Sequence, residues 1–302
     1  MCDVFKDEFR LSNFGLAHNK RDDFITCRWN WHPLVFFIYR IAVATYVTVF
    51  FVTTFILLAQ NGDFSFMAYL TLWTYLILTL YFLFSAIDVV YSKCKGDTGN
   101  QQTGCRSSKI GLQTKEGYNN IAFVESNSKL NVTAVKNGYP GETVPEYGEA
   151  LPGDIHIASD EISGFTKVCW LLGNITHVFA IVVTAVYFTA LFPLIGYTNC
   201  TDINLHGVNT FLVIVDTCLS ARPVRLLHVI HPVLYGACYL VFSAVYWSFD
   251  HVNHVLYPGV LDWNYPGTTA IWVVCLTLVG IPLLQLAHFG AHRLKIHFSS
   301  QT

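Results

Sequence analysis

Of the 18 Lys and Arg residues in this chain, 17 fall in segments that its hydropathy pattern would assign to one side of a membrane, and the opposite side receives none. Six stretches are apolar enough to leave water: 33–59, 66–90, 167–192, 203–219, 227–249 and 268–292. About 20 residues are needed to span ~30 Å of hydrocarbon. The basic residues lie in the N-terminal tail (Lys6, Arg10, Lys20, Arg21, Arg28) and in the segment from Lys93 to Lys167. The rest sit in the turn holding Arg222 and Arg225 and at the C-terminus (Arg293, Lys295), and only Arg40 lies well inside a stretch. Connections 60–65, 193–202 and 250–267 contain neither Lys nor Arg. Cytoplasmic loops collect Lys and Arg, so the pattern predicts an all-α polytopic membrane bundle of six transmembrane helices with both termini cytoplasmic. The fourth stretch is short and carries His206, Asn209 and Asp216, yet deleting it would place Arg222 and Arg225 outside.

The expected organisation is a cytoplasmic tail over 1–32, transmembrane helices 1 and 2 over 33–91, helices 3 to 6 over 166–292, and a cytoplasmic tail over 293–302. Between them, 92–165 is rich in Gly, Asn, Ser, Thr, Lys and Glu without a sustained apolar period, which predicts a disordered cytoplasmic loop. With 53% hydrophobic and 13% charged residues and a net charge of −2, the chain is suited to the lipid bilayer and not to nucleic acid. The first thirty residues hold no short apolar run with a small-residue cleavage site, so the first span is expected to act as the signal anchor. Of nine cysteines only Cys200 falls in an exoplasmic connection, which excludes a disulfide between those connections within one chain. Cys94 and Cys218, at cytoplasmic helix ends, are candidates for reversible acylation. Sequons at Asn131, Asn174 and Asn199 fall in the cytoplasmic loop, inside a span and close to the bilayer, so glycosylation is not expected to define the protein.

Ionisable groups inside a bilayer must find partners or do work. Arg40 and Asp88 lie at matching depths near the cytoplasmic ends of the first two helices, which predicts a structural ion pair, with snorkelling of Arg40 as the alternative. His228, His231, His288 and His292 flank cytoplasmic ends of the last two helices. Four imidazoles fall short of the set a membrane di-iron centre of the hydroxylase type requires, and no metal or other cofactor is expected. On the fourth helix His206, Asn209 and Asp216 share a stripe about 80° wide, which must face protein. The stripe serves either interhelical hydrogen bonding or a cavity near the outer leaflet. In the cavity reading Thr71 and His206 would be catalytic, because a Thr hydroxyl needs a base to take its proton. Asn209, Asp216 and His251 would be binding residues of the same cavity.

The segments Asp7-Glu-Phe-Arg, Asn13-Phe-Gly-Leu-Ala-His18 and Ile38-Tyr-Arg40 resemble the rolling stone family of multi-pass membrane proteins. The resemblance runs through all the spans, the long hydrophilic loop being the least comparable part, and it implies a plasma-membrane protein linked to myoblast fusion. More distantly, Ala68-Tyr-Leu-Thr71, Asn204-Leu-His-Gly-Val-Asn-Thr210 and Tyr257-Pro258 resemble the androgen-induced gene 1 type of membrane hydrolase, which cleaves fatty acid esters of hydroxy fatty acids. That likeness implies a nucleophile at Thr71 and puts Asn209 where the hydrolases have their catalytic His, while His206 is retained. A carboxamide cannot act as a base near neutral pH. Two functions follow: a non-enzymatic membrane protein acting with other membrane proteins or a fatty-acyl ligand, and a Thr-dependent lipid-ester hydrolase in which His206 replaces the missing base.

Overall fold

The computed structural model describes residues 8–60, 62, 64–104 and 162–301, so most of the expected loop, with Asn131, lies outside the described residues. Six long helices form the bundle: α1 (Pro33–Ala59), α2 (Leu70–Gly104), α3 (Gly164–Ile195), α4 (200–219), α5 (Leu226–Phe249) and α6 (Pro266–Ser299). Among the described residues there is no strand, only isolated bridges at Cys27–Ser220 and Tyr257–Leu261. Among the described residues five helices are long and apolar enough to cross a membrane: α1, α2 over Leu70–Lys95, α3, α5 and α6.

Local chemistry sets the helix ends. Pro33 and Pro266 stand in the first turns of α1 and α6, where a missing N–H costs nothing. Ser163 caps α3 by accepting from Thr166 N at 3.2 Å. A reciprocal capping box between Asn199 and Asp202 starts α4. Gly196, at φ +78°, closes α3 in the left-handed conformation. The second stretch departs from expectation at both ends: Ser65–Ala68 forms a 3-10 turn, so α2 begins at Leu70, and the helix then continues through residues 92–104. α4 is the exception among the six, about 30 Å long at 1.5 Å per residue but polar on one face, with His206, Asn209 and Asp216 all buried.

α3 is the central helix. It packs against α4, α5 and α6 and buries Trp170, Asn174, His177 and Val178. Gly173 allows the closest approach, since a Cβ there would lie 2.6 Å from Arg222 Nη1 and 3.1 Å from the Tyr81 ring. The N-terminal segment folds across one end of the bundle. Arg21 pairs with Asp88 at 3.0 Å, Arg28 N donates to Leu219 O at 2.9 Å, and Phe24 packs edge-on against Trp170. Arg28 Nε also donates to Ser299 Oγ at 2.8 Å, so the start of the chain and the end of α6 meet.

Candidate functional site

Two polar systems lie within the bundle, at different levels. At the end covered by the N-terminal segment, Asp216 of α4 is fully buried between two guanidiniums. Arg40 Nη1 lies 2.7 Å from Oδ1, and Arg222 Nη2 lies 2.8 Å from Oδ2. Tyr81 donates to Oδ2 at 2.5 Å and accepts from both arginines, while His177 Nε2 lies 3.2 Å from the same oxygen. Such charge-assisted bonds satisfy a carboxylate that could not otherwise leave water. The Arg40–Asp88 pair expected from depth is therefore replaced. Arg40 takes Asp216, whereas Asp88 takes Arg21 and the Thr166 hydroxyl at 2.8 Å. Equal depth along two helices does not imply that the two side chains point at each other.

Nearby, Lys295 donates to Thr217 O and Ser220 O, and Asn174 Nδ2 donates to Nδ1 of His228 at 2.9 Å and of His231 at 3.2 Å. The ring of His288 stacks on His177 at 4.8 Å. Among the described residues no group of three or more His, Cys, Asp or Glu is placed to hold a metal.

The second system lies at the other end of α2. Thr71 is 10 residues before Tyr81, about 15 Å along the helix, and His206 is likewise about 15 Å from Asp216 along α4. Two apolar cavities of about 310 and 430 Å³ adjoin there, sharing Thr71, Leu191, His206 and Tyr257 in their walls. Both volumes fall in the range that encloses small organic ligands. Three helices widen into π-turns around this space: Tyr187–Leu191 of α3, Asn204–Val208 of α4 and Leu276–Gly280 of α6. π-turns concentrate at functional sites because the extra residue displaces a side chain from the regular helical face. Here one of them carries His206, whose ring stacks on Tyr187 at 3.7 Å and whose Nδ1 has no hydrogen-bond partner although the residue is only 7% exposed.

Thr71 and His206 thus line the same cavities, whereas the other residues expected with them are placed elsewhere. Asn209 is held by its own helix and by α3: Nδ2 donates to Leu205 O at 2.7 Å, and Oδ1 accepts from Thr184 Oγ1 at 3.2 Å. His251 stacks on Trp247 outside both cavities, and Asp216 belongs to the arginine cluster.

Tyr257 and Tyr239 were not expected here. Leu70 N donates to both hydroxyls, at 2.8 and 2.9 Å, and the Tyr239 hydroxyl donates to Ala68 O at 2.8 Å. The Tyr257 hydroxyl is also bonded to the Thr71 side chain, and burial pushes its pKa up to about 12. The adjacent Tyr257-Pro258 dipeptide, in a connection free of Lys and Arg, was the one sequence sign of it.

A bundle of long apolar helices with ionised groups sealed inside defines a polytopic α-helical integral membrane protein. The chain is similar to the rolling stone family. Residues 154–301 match the family model described as Protein rolling stone. Protein rolling stone of Drosophila melanogaster is 25% identical over 319 residues, an alignment covering 99% of this chain and 92% of the relative. No solved structure matches.

Proposed function

We propose that this chain is a non-enzymatic six-span membrane protein of the rolling stone type, with both termini cytoplasmic, that holds a fatty-acyl ligand in the paired cavities. Residence in the plasma membrane and a part in cell–cell fusion, in myoblasts above all, extend the family resemblance. The exoplasmic connections are short, so any such part runs through other membrane proteins rather than direct contact with a facing bilayer. An even number of passes is favoured by the bond between Arg28 and Ser299, since five crossings would leave those residues on opposite faces. The observation that carries the ligand is the pair of apolar cavities meeting at a few polar groups, the usual composition of a small-molecule site. A non-catalytic role agrees with Asn209, which stands in place of the hydrolases' His and is committed to Leu205 and Thr184.

A Thr-dependent ester hydrolase is the second reading, favoured by Thr71 and His206 sharing both cavities and by the unpartnered Nδ1. One experiment separates the two. Membranes carrying the protein are treated with a photoreactive alkynyl fatty acid and, in parallel, with a fluorophosphonate probe. Capture of the fatty acid without fluorophosphonate labelling is expected. Fluorophosphonate labelling abolished by both Thr71→Ala and His206→Ala would establish the hydrolase, and absence of fatty-acid capture would refute the ligand.

A further inference from the structure

The walls of the cavities are largely apolar, and the polar groups at and beside their junction come from four separate parts of the chain. Thr71 belongs to the first turn of α2, His206 to the π-turn of α4, Tyr257 to the connection between α5 and α6, and Tyr239 to α5. Helix starts leave N–H groups unpaired, and burying them unsatisfied is costly. In α2 the debt is met by tyrosine oxygens: Leu70 N reaches both Tyr239 and Tyr257. The two phenols differ in what remains to them. Tyr239 donates to Ala68 O and is bonded to Tyr257, whereas the Tyr257 hydroxyl is bonded also to Thr71, a short rotatable side chain in the wall of both cavities. Across the same junction stands His206, buried, with Nδ1 unpartnered.

His206 lines both cavities with its unpartnered Nδ1 sealed inside the wall, so a ligand's polar atom is left to meet the hydroxyls of Tyr257 and Thr71. Such a ligand carries a polar atom at the junction and apolar substance on either side. Building on the acyl-ligand reading above, we infer that Tyr257 is the positioning residue for the carbonyl group of that ligand, its hydroxyl donating to the carbonyl oxygen beside Thr71 and opposite His206. The phenol suits the task because it is a rigid donor that stays neutral, so it adds no buried charge. A free carboxylic acid and an ester both present this oxygen.

The test uses full-length protein in membranes and three photoreactive alkynyl probes of equal chain length: a fatty acid, its methyl ester and a hydrocarbon lacking the carbonyl. Wild type is expected to capture the two carbonyl probes about tenfold better than the hydrocarbon, the factor one hydrogen bond supplies. Tyr257→Phe should remove that preference and leave hydrocarbon capture unchanged. Tyr265→Phe, which deletes an exposed hydroxyl of the same connection that lines neither cavity, should keep it. Retention of the carbonyl preference in Tyr257→Phe, or its equal loss in Tyr265→Phe, overturns the inference while leaving the cavity reading intact. No capture of any probe by wild type overturns the reading itself. If Tyr257→Phe does not accumulate, Thr71→Val examines the same hydroxyl pair, and an undiminished preference there also counts against the inference.

Discussion

Replacing Asp216 by Asn should be the most damaging conservative substitution in the bundle. The carboxylate is fully buried, and it is the counter-charge for both Arg40, 1% exposed, and Arg222, 8% exposed. Removing one partner of a buried pair costs about 3–5 kcal/mol, because the remaining charge is left uncompensated in a medium of low dielectric. Two guanidiniums depend on Asp216, so the cost belongs at the upper end, about 5 kcal/mol. That rivals the whole stability of many domains, which is about 5–15 kcal/mol. Asp88→Asn is the control: the side chain of its partner Arg21 is 25% exposed, and a partly solvated pair of this kind contributes only about 1 kcal/mol.

The assay is reversible unfolding in mixed micelles, followed by helical circular dichroism for wild type, Asp216→Asn, Arg40→Met and the double variant. A coupling energy of about 2–3 kcal/mol between positions 40 and 216 is expected, with none between 40 and 88. The reasoning fails if Asp216→Asn lies within about 1 kcal/mol of wild type. It fails equally if Arg40→Met couples to Asp88→Asn instead.

Gly173→Ala should destabilise by about 1–3 kcal/mol in the same assay, since the new methyl would stand 2.6 Å from Arg222 Nη1 and against Tyr81, both fixed by Asp216. Wild-type stability would mean that the arginine can move aside. The six-span orientation predicts that an impermeant maleimide labels intact cells through the exposed Cys200, with Cys94 and Cys218 reached only after permeabilisation. Labelling of Cys200→Ser in intact cells would contradict it.

Much of this architecture was legible in the sequence because a bilayer imposes two one-dimensional constraints, apolar length and the side on which Lys and Arg collect. Those constraints fall on six helices of the structure, of which five, without α4, are long and apolar enough to cross a membrane among the described residues. They are blind to rotation about a helix axis, and the main departures arise there. Asp88 and Arg40 match in depth but turn to different neighbours, Asp88 toward Arg21 and Thr166, Arg40 toward Asp216. Arg222 reads as a marker of topology, yet it is folded back into the core, where the absence of a side chain at Gly173 makes room for it. The polar stripe of α4 was visible as a stripe, but the π-turn at Asn204–Val208 divides it. His206 is delivered to the cavities, while Asn209 turns to α3 and Asp216 to the arginines. Tyr257 escaped because an aromatic residue in a loop carries no periodic signal. Only the fold brings it to the start of α2.

The two polar systems are better understood as one mechanical arrangement than as separate sites. An apolar cavity forfeits packing on every wall, so helices that surround one must be held in place by other contacts. α2, α3 and α4 are tied together at one end by Tyr81, His177 and Asp216, and α1 joins them through Arg40. At the other end α2 is fastened by Tyr239 and Tyr257, which leaves the space between α3, α5 and α6 free of the duty of holding the bundle. The ionic cluster therefore fixes the distance between Thr71 and His206 from about 15 Å away along both helices. Loosening it with Arg222→Met should lower fatty-acid capture even though Arg222 touches neither cavity. Unchanged capture would show that the cavity end of the bundle is held by its tyrosines alone.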